Sequence, residues 1–218
     1  MKSRLLSFVL CFIAIPVHAV TLPNLKLGPS FSVLDYKQSG TSTTAQIWTS
    51  LRTEASYNVS PSWAIQGKGN IGLFPVSKGS SLFNLRYLEL GLGASYMGGT
   101  KEGEGFFPSA GYQYQTFLNG DNFGFRNVHG PCGLLSLRLQ VVPKRFLQVD
   151  MGVGLMNTDV SFSGTNNELS MRASYIWEEF HEKIPVLTLQ GEIKRYSLEF
   201  IAGEVGAYFY SLTLLASF

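Results

Sequence analysis

This 218-residue chain has only two cysteines, few long apolar runs and nearly equal numbers of basic and acidic residues. Beyond the N-terminal residues, no stretch approaches the roughly 18 apolar residues of a membrane-spanning helix, which argues against a helical membrane protein. Cys132 is the one cysteine outside that region, so an internal disulfide is excluded, and we interpret it as a small apolar filler rather than a reactive thiol. Yet 45% of the residues are hydrophobic, so the apolar content is spread through short segments.

The N-terminus has the three parts of a secretory signal peptide. Lys2 and Arg4 supply the positive start, and Leu5 to Val17 form an apolar stretch that is short for a membrane span. We expect cleavage after Ala19, with an uncleaved anchor helix as the alternative. Cleavage removes two of the 17 basic residues and none of the 15 acidic ones. The mature chain is then neutral, so its charge gives no indication of nucleic-acid binding.

Apolar and polar residues alternate with a period of two along much of the mature chain, which is typical of strands and not of helices. Ten segments show this pattern: 27–37, 43–59, 62–73, 84–97, 106–118, 132–142, 146–156, 169–180, 186–198 and 207–218. Each is near the roughly 9–11 residues of a tilted membrane strand. The last segment alternates up to the final residue, and one of its faces carries Tyr208, Tyr210, Leu212, Leu214 and Phe218.

A secreted chain with an aromatic residue at the end of an amphipathic strand resembles the bacterial outer-membrane β-barrel family, of the small type with eight to ten strands. The resemblance covers residues 20–218 as one domain and implies an all-β, transmembrane, antiparallel up-and-down barrel in a Gram-negative cell envelope. We expect ten strands, because an eight-stranded barrel would turn most of 158–206 into a loop. The resemblance also implies that the final strand, with Phe218, is the assembly signal. Its implied partners are outer-membrane lipid, the barrel assembly machinery and periplasmic chaperones.

The connections between the strands predict which end of the barrel faces the periplasm. Tight turns near 59–62, 143–145 and 181–185, with a longer one at 98–105, are expected at the periplasmic end. Polar, glycine-rich loops are expected at the outer end, namely 38–43, 74–84, 119–131, 157–168 and 199–206. Aromatic residues cluster near both ends and predict interfacial girdles where they face lipid. A soluble β-sandwich or lipocalin-like barrel would also alternate, but it does not explain several charges per strand beside so much apolar surface.

In a membrane barrel the polar face of each strand lines the interior. That face carries charges of both signs: Arg52, Glu54, Lys68, Glu89, Arg138, Asp150, Arg172, Glu178, Glu192 and Lys194. Opposite charges in a narrow interior are expected to pair, because an unpaired charge there is costly. One interpretation is a structural network that closes the barrel. The other is a narrow aqueous path for passive permeation of small solutes, as in a porin-like protein.

Surface binding is a further possible function. The predicted outer loop 119–131 carries Phe123, Phe125 and Arg126, and aromatic and arginine side chains on exposed loops are favoured anchors for a partner. An adhesin-like barrel is therefore an alternative to a structural or small-pore protein.

Catalysis is the least supported function. Some small outer-membrane barrels modify lipids, but the mature chain offers only His129 and His181 as candidate bases. His129 shares a predicted loop with Asp121, without the positioned partner that a general base needs. Neither a metal-ligand spacing nor a phosphate-binding glycine loop is found. We therefore expect no enzyme activity and no cofactor.

Overall fold

The computed structural model describes residues 24–38, 44–75, 87–98, 103–117, 127–158, 166–200 and 203–217. These residues form ten strands: β1 Asn24–Gln38, β2 Thr44–Ser60, β3 Trp63–Pro75, β4 Tyr87–Tyr96, β5 Gly105–Phe117, β6 Asn127–Val142, β7 Arg145–Leu155, β8 Asn167–His181, β9 Ile184–Phe200 and β10 Gly203–Ser217. A two-residue segment, Asn157–Thr158, continues β7 beyond Met156 and pairs with β6. Within these ranges no helix has the length and apolarity needed to cross a membrane. The predicted leader, 1–19, lies outside the described residues.

Every strand pairs antiparallel with its neighbours in sequence, and β1 pairs with β10, so the sheet closes into a barrel. The seam between the first and last strands runs from Lys26 opposite Ser217 to Gln38 opposite Val205. The prediction of a ten-stranded up-and-down barrel is confirmed. The eight-stranded alternative is wrong, because β9 is hydrogen-bonded along both of its edges.

The two ends of the barrel differ in their connections. Three two-residue turns, Pro61–Ser62, Pro143–Lys144 and Glu182–Lys183, lie at the end where β1 begins, and we call it the turn end. Lys144 follows Pro143 and adopts a left-handed conformation with φ of 64°, as the third residue of a type II turn does. We call the opposite end the loop end. Tight connections at the first end are what the sequence predicts for the periplasmic side.

Among the connections at the loop end that are shorter than the sequence predicts are 119–131 and 199–206. β6 begins at Asn127, so the second part of the expected loop 119–131 belongs to a strand. Only residues 201–202 separate β9 from β10, where a loop over 199–206 is expected. In both places, residues with the polarity of a loop continue the strand pairing. The pairing supplies hydrogen-bond partners for their backbone N–H and C=O groups.

The outer and inner surfaces of the barrel reverse the pattern of a soluble protein. Leu92 is 66% exposed and Met151 is 60% exposed on the outside, whereas Arg52 is 1% exposed on the inside. Other large apolar side chains on the exposed face are Leu51, Leu135, Leu139, Val153, Ile193, Leu212 and Leu214. An apolar outer wall around a polar interior is stable when lipid surrounds the barrel. The soluble sandwich and lipocalin-like alternatives do not fit this distribution.

Candidate functional site

The polar faces of the ten strands meet in the barrel interior. The structure places all the charged residues that the sequence assigns to that face on the inner side: Arg52, Glu54, Lys68, Glu89, Arg138, Asp150, Arg172, Glu178, Glu192 and Lys194. They form ion pairs, and three of these pairs, Arg52–Glu192, Arg172–Glu54 and Lys194–Glu89, join strands that are distant in sequence. The pairs fall into three groups, of which the first two are in contact, because Nζ of Lys194 lies 3.9 Å from Oε1 of Glu192.

The first group spans the diameter of the barrel. Lys194 on β9 and Glu89 on β4 lie five strands apart in the ring of ten, and the Nζ of Lys194 is 2.7 Å from Oε1 of Glu89. The same oxygen lies 2.8 Å from Nζ of Lys68. The hydroxyl of Tyr87 donates to Oε2 of Glu89 over 2.9 Å. Opposite walls of the barrel are thus tied together at the level of this carboxylate.

The second group is a chain of alternating charges that runs Glu192, Arg52, Glu54, Arg172, Asp150. Arg52 Nη1 lies 2.7 Å from Oε2 of Glu192, and its Nε lies 3.2 Å from Oε1 of Glu54. Arg172 Nη1 lies 3.3 Å from the same Glu54 oxygen, and its Nε contacts Asp150. The chain joins β2, β7, β8 and β9 across the interior. Each charge of this chain therefore has a partner of opposite sign, which offsets the cost of removing it from water.

The third group lies near the turn end. Arg138 Nη2 is 2.5 Å from Oε1 of Glu178, and the guanidinium carbon is 3.9 Å from the ring centroid of Phe146. The ring face attracts the cation, so Phe146 and Glu178 hold the arginine from two sides.

An apolar layer fills the interior at the loop end. Its eight buried members, which we call the aromatic layer, are Leu34, Trp48, Tyr87, Val128, Met156, Tyr196, Ala207 and Phe209. The ring centroids of Trp48 and Tyr87 are 5.6 Å apart, and those of Tyr87 and Phe209 are 5.4 Å apart. These distances are typical of packed aromatic pairs. The layer lies above the Lys194–Glu89 pair, and Nζ of Lys194 is 5.6 Å from the Phe209 ring.

Three members of this layer lie near the outer ends of their strands, where the sequence predicts a girdle of lipid-facing aromatic residues. Trp48, Tyr87 and Tyr196 instead point inward. The period of two contains this information, because Tyr87 lies two residues from Glu89 and Tyr196 lies two residues from Lys194. Residues separated by two positions share a face of the strand.

A cavity of about 590 Å³ occupies the interior between the turn end and the aromatic layer, and members of all three ion-pair groups line it. Its mouth includes Asn24, Lys26 and Asn58, and its deep end includes Glu168 and Lys194. Small inner side chains make room for it on one wall: Gly91, Gly93, Ser109, Gly111, Cys132 and Ser136. None of the eight members of the aromatic layer lines it. In the described part of the chain, the cavity thus opens toward the turn end and stops below that layer.

Glu168 is an inner carboxylate that the sequence analysis missed, because it falls in the predicted loop 157–168. The structure places it on β8, 4% exposed. Its Oε2 accepts hydrogen bonds from Nε2 of Gln113 over 2.8 Å and from Nε2 of Gln115 over 3.3 Å. Tyr196 donates to Oε1 of Gln115 over 2.6 Å, which orients that amide. The missed signal is again the period of two, since Glu168 shares a face with Arg172.

The two histidines lie apart from the interior. His129 is on the outer face of β6 rather than in a loop, and its Nδ1 is 2.5 Å from the hydroxyl of Tyr112. His181 ends β8 in an exposed position, and its Nδ1 accepts from the backbone of Lys183. In the ranges given above, no group of three or more metal-ligating side chains is present. Asp121, with the expected loop anchors Phe123, Phe125 and Arg126, lies outside the described residues.

The final strand closes the barrel with its apolar face outward. Tyr208, Tyr210, Leu212 and Leu214 are exposed on that face, and the two tyrosine rings stack with centroids 6.3 Å apart. Phe218 lies outside the described residues.

No protein-family model matches this sequence, and no curated protein matches it. Several solved structures are similar in fold. The attachment invasion locus protein Ail of Yersinia pestis is 10% identical, with a TM-score of 0.34, over 90% of this chain and 100% of that chain. The translocator domain of the autotransporter NalP from Neisseria meningitidis is 11% identical, with a TM-score of 0.41, over 92% and 90%. The outer membrane protein OprG from Pseudomonas aeruginosa is 14% identical, with a TM-score of 0.29, over 90% and 96%.

Proposed function

We propose that this chain, which has the fold of the bacterial outer-membrane β-barrel family, is a structural protein of the outer membrane whose lumen is closed to solutes. The observation that carries the proposal is the pair between Lys194 and Glu89, which joins diametrically opposite strands. Side chains fill much of the interior of so small a barrel, and what remains is the cavity of about 590 Å³ below the aromatic layer. A direct ion pair across the diameter therefore divides the remaining space.

The aromatic layer supports the same function. Trp48, Tyr87 and Phe209 are buried and in mutual ring contact above the ion pair. An ion that passed through the barrel would have to cross this apolar layer without its hydration shell, which is costly. The charges below the layer serve to hold the walls together, since ten of them are paired with one another.

Single-channel recording in planar lipid bilayers tests this function. We expect the folded wild-type barrel to produce no stepwise conductance. The variant Trp48→Ala/Phe209→Ala/Lys194→Ala removes the centre of the aromatic layer and the cation that spans the lumen, so we expect stepwise conductance from it. Tyr208→Ala removes an aromatic ring from the outer face and serves as the matched control, which should stay silent.

The folded state of each sample is checked by heat-modifiable mobility in gels. Stepwise conductance from the folded wild type would contradict the structural function and would favour passive permeation of small solutes. Silence of both the wild type and the folded triple variant would show that other groups close the lumen.

We also propose that the chain reaches the outer membrane after removal of the leader at Ala19. The apolar stretch Leu5 to Val17 and the small residues that follow it support this step. N-terminal sequencing of the protein from purified outer membranes should begin at Val20. A sequence that begins at Met1 would contradict cleavage and favour an anchor helix.

A further inference from the structure

The inner charges of the described strands balance in number. Six cations face the interior: Lys26, Arg52, Lys68, Arg138, Arg172 and Lys194. Six carboxylates face it: Glu54, Glu89, Asp150, Glu168, Glu178 and Glu192. The part of the interior that the described strands enclose is therefore neutral.

One inner cation and one inner carboxylate of the described strands form no ion pair. The ion pairs described above engage five of the cations and five of the carboxylates. Among the described residues, Lys26 and Glu168 are the two inner charges without an opposite charge within 4.0 Å. Both line the same cavity.

Glu168 lies at the closed end of that cavity and is prepared for a positively charged group. The two glutamine amides donate to the same carboxylate oxygen, Oε2, and thereby fix the side chain without neutralising its charge. A buried carboxylate that lacks a cation is costly, so a ligand that supplies one gains a strong charge-assisted interaction. A metal ion suits the position poorly, because the neighbouring groups of Gln113 and Gln115 present N–H donors rather than oxygen ligands.

Lys26 lies near the mouth of the cavity at the opposite end. It stands across from Glu54 in the pairing of β1 with β2, but that carboxylate already contacts Arg52 and Arg172. The Lys26 ammonium group is thus available for an anionic group that enters from the turn end.

We propose that this cavity is a binding site for a small zwitterion, with its ammonium group at Glu168 and its anionic group at Lys26. A zwitterion pairs both remaining charges and leaves the interior neutral. A ligand with a single charge pairs one of them and leaves the other unpaired. The site goes beyond the structural function, since it opens to the turn end and requires no passage through the aromatic layer.

Isothermal titration of the refolded barrel in lipid nanodiscs tests the proposal with linear ω-amino acids from glycine to 8-aminooctanoate. We expect binding with an optimum at the chain length that joins Glu168 to Lys26. The alkylammonium and alkanoate ions of that same length should each bind at least about tenfold more weakly, the effect of losing roughly one ion pair.

Two variants test the two ends separately. Glu168→Gln should lower the affinity for the optimal zwitterion at least about tenfold, and Lys26→Met should do the same from the other end. Lys26→Met should leave the affinity for the alkylammonium ion unchanged, because that ligand has no anionic group. Glu182→Gln, in an exposed turn, is the matched control and should bind the zwitterion as the wild type does.

Three results would overturn the proposal. One is a folded wild-type barrel that binds no member of the series. Another is an alkylammonium ion that binds as tightly as the zwitterion. That result would show that Lys26 contributes nothing to binding. The third is wild-type affinity in both Glu168→Gln and Lys26→Met, provided that heat-modifiable gel mobility shows them folded. The conductance measurements on the wild type are independent of all three.

Discussion

Lys194 and Glu89 are joined across the full width of the barrel, with Nζ 2.7 Å from Oε1, although 105 residues separate them in sequence. Both side chains are at most 2% exposed. Their strands share no hydrogen bonds, so the pair links two walls that the sheet itself connects only by way of four intervening strands on either side. Several properties of the protein should depend on this contact and on the packing around it.

Replacement of Lys194 by methionine should destabilise the barrel by about 3–5 kcal/mol, the usual cost of removing one partner from a buried ion pair. The loss should lie toward the lower end, because Lys68 still contacts Glu89. The free energy of unfolding is measured by urea titration in lipid vesicles with tryptophan fluorescence. Lys183→Met, in an exposed turn, should change it by no more than about 0.5 kcal/mol. Equal effects of the two substitutions would show that the pair across the lumen contributes nothing to stability.

The seam between β1 and β10 should depend on Gly28. A Cβ atom at this position would lie 1.7 Å from the carbonyl oxygen of Leu214, so the Gly28→Ala variant must displace backbone and should lose about 1–3 kcal/mol or more. Gly191→Ala is the matched control, because a Cβ there meets nothing within 4 Å. Urea midpoints and the fraction with heat-modifiable mobility report the outcome. Normal closure of the Gly28→Ala barrel would contradict the close approach of the two strands.

Access to the cavity should be visible through Cys132, which lines it in a half-buried position. A small water-soluble methanethiosulfonate should modify the folded barrel, because the cavity opens to solvent at the turn end. A maleimide carrying a long polyethylene glycol chain should not fit. Mass spectrometry measures the modification, and Cys132→Ser is the control for other sites. A folded barrel that resists the small reagent would indicate a cavity sealed from water.

An arginine on the outer face should destabilise the barrel most where the strand crosses the middle of the bilayer. Ile193 lies near the middle of β9 on the exposed face, so Ile193→Arg should destabilise by about 2–4 kcal/mol, the cost near the bilayer midplane. Val142 is similarly exposed but ends β6 at the turn end. Val142→Arg should cost only about 0–1 kcal/mol. Unfolding in vesicles measures both values, and a reversed order would contradict this placement of the membrane.

The faces of the strands could be predicted from the sequence. Alternation places Arg52 and Lys194 inside and Leu51 and Ile193 outside, and the structure shows the same arrangement. This works because the side-chain direction in a strand alternates regardless of which strands are its neighbours. Polarity is misleading near the strand ends: Glu168 lies in β8 and faces the interior, although its segment 157–168 has the polar composition of a loop.

Contacts across the lumen could not be predicted in this way. Alternation says that Lys194 points inward, but the partner it meets depends on the number of strands, their tilt and the stagger of their pairing. Those quantities arise only when β1 meets β10 and the sheet closes. The aromatic layer, and the cavity with Lys26 and Glu168 in its lining, also form only when the sheet closes. Local alternation is a property of each strand, whereas depth and distance inside the barrel belong to the closed ring.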